Sequence, residues 1–143
     1  MKTIKQLSVF LENKPGHVYK ICKTLGDAGV NIYSLSLADT SQFGILRLIV
    51  KDTDEASKIL VKAGFIVNIA TDVLAIKIEN KPGLLAQVSE VLSENNVNLE
   101  YAYAFANRNI FIYRVSDNEV ACNELTKKGF TLLDSQELFN TNN

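Results

Sequence analysis

The chain has 143 residues, of which 47% are hydrophobic and 22% charged, and its net charge is −1 at pH 7. This composition is typical of a globular protein, and the absence of a basic stripe argues against a nucleic-acid partner. The sequence contains no apolar run long enough to span a bilayer and no signal-peptide layout, so we expect a cytoplasmic protein without a membrane partner.

The first half of the chain predicts the element order β-α-β-β-α-β. Apolar residues alternate with polar ones in segments that we expect to be strands, residues 4–11, 30–38, 43–50 and 65–69. One helix is expected after Gly16, and another after Thr53, which would be its N-cap. Each helix should end at a glycine, Gly29 for the first and Gly64 for the second.

The second half predicts the same order again. The expected strands are residues 73–78, 97–105, 110–115 and 130–133. A helix follows Gly83, and a second one is capped by Ser116 or Asp117 and ends at Gly129. The polar tail, residues 136–143, is expected to fray.

A tandem duplication explains why the order occurs twice. A shift of 67 residues places Glu12-Asn13-Lys14-Pro15-Gly16 on Glu79-Asn80-Lys81-Pro82-Gly83. Past the central turn of each half the shift becomes 65, and it then places Gly64-Phe65 on Gly129-Phe130. We therefore expect two domains, at residues 1–69 and 70–143, joined by a linker of about three residues.

Each domain predicts an α+β unit of the ferredoxin-like type, with an antiparallel sheet and both helices on one face. Residues 45–50 and 110–115 carry apolar side chains on both faces of their strands. An open sheet with two apolar faces needs a second cover, from another sheet or another chain. This pattern favours a homo-oligomer.

The two Pro-Gly pairs, Pro15-Gly16 and Pro82-Gly83, each stand between a predicted strand and a predicted helix. Proline suits the first position of a helix, and glycine lets the backbone approach a ligand closely. The first amides of such a helix point outward with the positive end of the macrodipole behind them. The sequence therefore predicts a receptor for a carboxylate or a phosphate, built twice.

The asparagines at these loops have two interpretations. Asn13 and Asn80 could simply begin turns or cap helices, yet the same amide at the same place twice also suits a ligand with an ammonium and a carboxylate. Asn31 and Asn98 open the second strand of each half and have the same two interpretations, a turn role after a helix or a ligand contact.

Catalysis has little support in the sequence. His17 is the single histidine, expected to be exposed, and it is interpreted as a solvated or capping residue or as a ligand contact rather than as a base. Cys22 and Cys122 lie in predicted helices and are expected to be buried reduced thiols, so neither a metal site nor a cofactor is predicted. Lys14 and Lys81 are interpreted as solvated, or as adding positive potential at the pocket mouth.

These motifs together resemble those of the ACT domain, a regulatory module, present here as a tandem pair that covers nearly the whole chain. The motif-bearing segments are residues 13–16 with 29–32, and 80–83 with 96–99. The resemblance implies that the units pair side by side into an eight-stranded sheet and bind a small ligand, most often an amino acid, at their interface. It also implies that Asn13 and Asn80 contact the ligand, together with Asn31 or Asn98 from the partner unit.

The resemblance implies a regulatory or sensor protein that binds an amino acid and is not an enzyme, forms a homodimer and acts on a possible partner enzyme. The alternative is a ligand-free regulatory or structural subunit of a larger enzyme of amino-acid metabolism. The two pockets would be inequivalent, because His17-Val18 in one copy corresponds to Leu84-Leu85 in the other. The predicted ligand-binding residues are Asn13, Lys14, Pro15, Gly16, His17, Val18, Asn31, Asn80, Lys81, Pro82, Gly83, Leu84, Leu85 and Asn98.

Overall fold

The computed structural model of the protein describes residues 1–39, 42–106 and 108–140. Its contacts group the chain into two compact units. We call Lys5–Thr71 the N-terminal unit, and the residues from Asp72 onward together with Met1–Ile4 the C-terminal unit. The expected α+β fold with two ferredoxin-like units is confirmed. The domain boundaries 1–69 and 70–143 stay a prediction.

The N-terminal unit has the predicted order of elements. They are β1 (Ile4–Glu12), α1 (His17–Asp27), β2 (Ile32–Asp39), β3 (Phe43–Val50), α2 (Thr53–Lys62) and the first part of β4 (Ile66–Lys77). The strands lie in the order β2-β3-β1-β4, with β1 and β2 both antiparallel to β3. This is the ferredoxin-like order, in which the first and third strands are central.

The C-terminal unit repeats this arrangement and adds one helix. Its elements are the second part of β4, α3 (Leu84–Glu94), β5 (Leu99–Phe105), β6 (Ile110–Val115), α4 (Asn118–Lys127), β7 (Thr131–Leu133) and α5 (Ser135–Asn140). The order β7-β4-β6-β5 follows from the pairing of β4 with both β6 and β7. The strands of this unit therefore match those of the N-terminal unit one by one.

The strand registers confirm the duplication at the level of single residues. Ala38 pairs with Ile45 in the N-terminal unit, and Phe105 pairs with Ile110 in the C-terminal unit. These pairs correspond under the shifts of 67 and 65 found in the sequence, since 38 + 67 = 105 and 45 + 65 = 110. Ala38 and Phe105 therefore occupy equivalent positions in the sheets of the two units, and so do Ile45 and Ile110.

Each unit has its own hydrophobic core between its sheet and its helices. In the N-terminal unit the buried cluster is Leu7, Val9, Leu11, Ile21, Leu25, Leu46, Leu48, Val50, Ala56 and Leu60. In the C-terminal unit it includes Leu74, Ile76, Ile78, Val88, Val91, Leu92, Val115 and Leu125. Each fully buried leucine contributes about 1.5–3 kcal/mol through the apolar surface that it removes from water, so these clusters hold the helices against the sheets.

Several boundaries differ from the sequence-based expectation. The predicted fourth and fifth strands are one continuous strand, β4, with no loop between them. The N-cap of α2 is Asp52 rather than Thr53, because the Asp52 carboxylate accepts a hydrogen bond from the Glu55 amide at 3.0 Å. At α4 the predicted Asp117 cap is confirmed, with a bond of 3.1 Å from the Val120 amide.

The prediction of a fraying C-terminal tail is wrong for its described part, residues 136–140, while 141–143 lie outside the described residues. Asp134 and Glu137 exchange hydrogen bonds between side chain and backbone at 2.8 and 3.1 Å, which start α5 as a capping box. Leu138 is fully buried. A single buried leucine and a capping box therefore fold a segment whose composition is polar.

Candidate functional site

The Pro-Gly loops have the same geometry in both units, but proline does not begin the helix. Gly16 is the N-cap of α1 with φ 91° and ψ −12°, and Gly83 is the N-cap of α3 with φ 87° and ψ −11°. The expectation of proline at the first helical position is therefore wrong. Glycine adopts the left-handed conformation that turns the chain into the helix, and Pro15 and Pro82 lie one residue earlier.

The helices that follow these loops begin without a side-chain cap, since among the described residues no side chain caps α1 or α3. The first backbone bonds that close the helices are Lys20 N to Gly16 O and Gln87 N to Gly83 O, each at 3.0 Å. The amides before Lys20 and Gln87 therefore lack the i−4 carbonyl partner of a helix interior. Those of His17 and Leu84 make long hydrogen bonds to the Lys14 and Lys81 carbonyls, at 3.5 and 3.4 Å. An anion could accept hydrogen bonds from the amides at the start of each helix.

Asn13 connects its loop to the end of β2 through hydrogen bonds. Its side-chain amide donates to the Asp39 carboxylate at 3.4 Å, and its backbone amide donates to the Gln42 carbonyl at 2.9 Å. The neighbouring Lys14 pairs with the Glu12 carboxylate at 3.3 Å on the surface. Asn13 therefore positions an acidic side chain, Asp39, beside the loop.

His17 is the first residue of α1, and it is half-buried rather than exposed as expected. Its Nδ1 atom accepts a hydrogen bond from the Glu12 amide at 3.3 Å. A neutral imidazole that accepts at Nδ1 carries its proton on Nε2. His17 therefore offers an N–H donor on the other side of its ring.

A cavity of about 660 Å³ lies beside this loop in the N-terminal unit. Its lining residues are Phe10, Leu11, Glu12, His17, Ala38, Asp39, Phe43, Gly44, Ile45, Gly64, Phe65 and Ile66. The walls are mainly apolar, and Phe10, Phe43 and Ile66 keep 40%, 61% and 69% of their surface exposed there. The carboxylates of Glu12 and Asp39 and the imidazole of His17 supply the polar part.

Of the predicted site residues in this unit, only His17 lines the cavity, and most of its lining was missed. Phe10, Phe43 and Phe65 lie in the predicted strands, and Asp39 directly follows another one, so their positions alone do not indicate a ligand site. The available signal was the difference between the two copies, in which Ala38 corresponds to Phe105 and Asp39 to Ala106. Val18, another predicted contact, packs against the core of the unit.

In the C-terminal unit, apolar side chains stand at the positions that correspond to Ala38 and His17. Phe105 is 1% exposed, and Leu84, which replaces His17, packs against the core of this unit. Lys81 pairs with Glu79 at 2.9 Å, and its ammonium lowers the pKa of that carboxyl. Leu85 is an exposed surface residue. The second loop thus has the backbone of the first and keeps one carboxylate, Glu79 for Glu12, but has Ala106 for Asp39 and Leu84 for His17.

Asn31 and Asn98 do not join the loop asparagine of their own unit. Asn31 precedes β2, while Asn13 contacts Asp39 at the other end of that strand, which is eight residues long and so spans about 25 Å. Asn98 exchanges hydrogen bonds with Ser116, from its amide to the hydroxyl at 2.8 Å and from the Ser116 amide to its carbonyl at 2.9 Å. The role of both residues in a partner unit's site stays a prediction.

Within residues 1–39, 42–106 and 108–140, no group of three or more His, Cys, Asp or Glu is placed to hold a metal ion. No helix in these ranges is both long and apolar enough to cross a membrane. Cys22 is half-buried and Cys122 is buried, and both are free thiols.

Comparison with known proteins identifies the family. The family described as an ACT domain pair matches residues 2–141. The chain belongs to the ACT domain family. ACT domains are regulatory modules rather than catalytic ones, and the Pro-Gly loops described above lie in both ACT units of this chain.

Solved structures support the same fold. Protein BT0572 from Bacteroides thetaiotaomicron is 40% identical, with a TM-score of 0.88 and 97% of each chain covered. The regulatory subunit of aspartate kinase from Thermus flavus is 16% identical, with a TM-score of 0.61, over 86% of this chain and 90% of that one. The corresponding subunit from Thermus thermophilus, in a ligand-free form, has 16% identity and a TM-score of 0.60, over 88% and 90%. No curated protein matches the chain.

Proposed function

We propose that this ACT pair is a regulatory protein without catalytic activity that binds a free amino acid beside the Asn13 loop. The observation that carries the proposal is the 660 Å³ cavity of the N-terminal unit, which adjoins the loop whose helix amides lack a side-chain cap. Cavities of about 300–1,000 Å³ with apolar walls and a few polar groups are typical of small-molecule sites. Membership of a regulatory family supports the same conclusion.

The polar groups at the loop suit both charges of an amino acid. A carboxylate would accept hydrogen bonds from the first amides of α1 and from His17 Nε2–H, and the helix dipole favours it there. An ammonium would donate to Asp39, whose carboxylate has several acceptor positions and receives one amide bond from Asn13. The cavity thus offers donors and acceptors in the combination that a zwitterion requires.

Regulation would follow from linkage between ligand binding and the conformation or assembly of the protein. A ligand at 100 times its Kd stabilises the state that binds it by about 2.7 kcal/mol. We propose that a partner enzyme is controlled by this change. The fold shared with regulatory subunits of aspartate kinase is consistent with such a partner without naming it.

We further propose that the protein is a homodimer that pairs along β2. This strand lies at the end of the strand order of its unit, and Leu35 and Leu37 on it are each 47% exposed. An exposed apolar edge strand is a ready partner for a second strand. Asp39 is the last residue of β2 and lines the cavity, so pairing there would couple assembly to ligand binding. Light scattering should find a dimer for the natural chain and a monomer for Leu35→Lys with Leu37→Lys.

A thermal-shift screen against the twenty amino acids tests the proposed function. At least one of them should raise the Tm of the natural chain, and the same compound should have less effect on Asn13→Ala. No stabilisation by any amino acid would contradict the proposal and would favour the alternative, a ligand-free regulatory or structural subunit.

A further inference from the structure

The two units differ at one register position in a way that indicates what the cavity holds. Resting on the proposed function, we infer that the ligand is an amino acid with a large apolar side chain, best an aromatic one, bound once per chain in the N-terminal unit. The inference goes beyond binding of amino acids in general, because it specifies the side-chain class and the stoichiometry.

Ala38 and Phe105 occupy equivalent positions in the two units. Ala38 pairs with Ile45 and lines the cavity, while Phe105 pairs with Ile110 at the corresponding place of the other sheet and is 1% exposed. One copy of the duplicated fold therefore buries a benzyl side chain where the other copy has a methyl group beside open space. A ligand with a benzyl group would supply, in the N-terminal unit, the ring that Phe105 supplies in the C-terminal unit.

The walls of the cavity also match an apolar side chain. Around Ala38 the cavity is bounded by apolar side chains, which include Phe10, Phe43, Phe65 and Ile66. A small or polar amino acid would leave these surfaces in contact with water. A large apolar side chain would remove them from water, and affinity should rise about fourfold for each buried methylene group.

The charged side chains at the cavity rim further restrict the ligand. The ionisable side chains that line the cavity are Glu12, Asp39 and His17. Glu12 is engaged by Lys14 at 3.3 Å, and Asp39 accepts from the uncharged amide of Asn13. The carboxylates favour an ammonium group and disfavour a second acid on the ligand, so acidic amino acids should be rejected.

The stoichiometry follows from the C-terminal unit. At the places of Ala38, Asp39 and His17 it has Phe105, Ala106 and Leu84. Phe105 is buried, the side chain of Ala106 has no acceptor for an ammonium, and Leu84 packs on the core. The second loop therefore retains the helix amides and a carboxylate, Glu79, but a buried ring stands in place of Ala38, and the side chains of Asp39 and His17 have no polar counterpart.

Calorimetric titration of the full chain with glycine, alanine, leucine, L-phenylalanine and aspartate tests the inference. Leucine and L-phenylalanine should bind at least tenfold more tightly than alanine, with one molecule per chain, and aspartate should not bind. Tight binding of a small or polar amino acid instead would overturn the side-chain class while the proposed function stands. No binding of any amino acid would overturn both. Two equivalent molecules per chain would overturn the stoichiometry alone.

Ala38→Phe is the decisive variant, because it places in the N-terminal unit the residue that the C-terminal unit has at the corresponding position, Phe105. It should weaken L-phenylalanine binding at least tenfold, whereas Ala102→Phe, an exposed position of β5, should leave the affinity unchanged. Ala38→Leu, checked for folding by circular dichroism, provides the same test with a smaller side chain. Unchanged affinity in folded Ala38 variants would show that the ligand binds elsewhere.

Two fragments separate the polar contacts from the apolar ones. Phenethylamine lacks the carboxylate, and 3-phenylpropionate lacks the ammonium, so each should bind more weakly than L-phenylalanine. Asp39→Asn should weaken the binding of phenethylamine and leave that of 3-phenylpropionate unchanged or stronger. Equal losses for the two fragments would contradict the placement of the ammonium at Asp39.

Discussion

The two ACT units share a loop backbone and differ in the side chains behind it. Gly16 and Gly83 have φ and ψ angles within a few degrees of each other, and both helices close their first bond at 3.0 Å. In the N-terminal unit, Ala38 lines a cavity beside the loop. In the C-terminal unit, the residue that corresponds to Ala38 is the buried Phe105. The comparison teaches that a duplicated backbone motif provides the anion-binding amides, while the surrounding side chains decide whether a ligand has room.

The largest effect should come from removing the side chain that fills the second unit. Phe105→Ala should lower the free energy of unfolding by about 3–5 kcal/mol, because it deletes a buried aromatic ring and leaves a cavity. Urea denaturation measures the loss. Leu85→Ala, at an exposed position of the same unit, should change stability by less than about 0.5 kcal/mol. A loss below about 1 kcal/mol for Phe105→Ala would mean that the ring does not fill the unit.

Asn13 and Asn80 stand at the same position of the two loops, and replacing each of them should affect the affinity for L-phenylalanine differently. Asn13→Ala should weaken L-phenylalanine binding by about 1–3 kcal/mol, since it removes the amide that holds Asp39 at the cavity. Asn80→Ala in the C-terminal unit should leave the affinity unchanged. Isothermal titration calorimetry on both variants provides the measurement, and equal losses in the two would contradict the assignment of one site to one unit.

The loop glycines should have equal effects on stability, because the loop backbones are alike. Gly16→Ala and Gly83→Ala each force alanine into the left-handed region, which costs about 1–2 kcal/mol, and no atom lies within 4 Å of the added Cβ to change that value. Gly26→Ala, inside α1 and also without a contact, should instead stabilise by about 0.5–1 kcal/mol. Thermal denaturation of the three variants checks the signs. Clearly unequal losses would show that the two loops are not equivalent.

The smallest expected effect concerns α5, which has no counterpart in the N-terminal unit. The hydrogen bond from Lys2 at 2.7 Å lowers the pKa of Glu137 below its ordinary value of 4.5. A lowered pKa means that this contribution to stability is present above pH 4.5 and is lost as pH falls through the folded-state value. Lys2→Met should therefore flatten the stability profile below pH 4.5 in urea titrations. An unchanged profile would show that the exposed pair contributes nothing measurable.

Much of the fold followed from the sequence because it depends on local patterns repeated twice. The bounds of β3 and β6 agree with the predicted strands, and the helix-ending glycines Gly29, Gly64 and Gly129 have the expected positive φ. The position of the prolines was wrong, since a left-handed N-cap glycine is a conformation that the sequence allows but does not require. The sequence did not predict the helix α5, because the segment is polar and a single buried leucine, Leu138, holds it against the unit.

The cavity could not be predicted, because it depends on which side chains the strand register brings together. Ala38, Phe43 and Phe65 lie in different strands or loops and meet only in the folded unit. Comparing the copies position by position would have pointed to Ala38 and Phe105, but only the strand pairings show that both residues leave the sheet at the same place.

The most direct test of a single site in the N-terminal unit is an NMR titration of the ¹⁵N-labelled full chain with L-phenylalanine. The two loop glycines give separate amide signals in one sample, so each unit is the control for the other. The account predicts large shift changes for the amides of Gly16 and His17 and none for those of Gly83 and Leu84. Changes at Gly83 and Leu84 with Gly16 and His17 unaffected would contradict it.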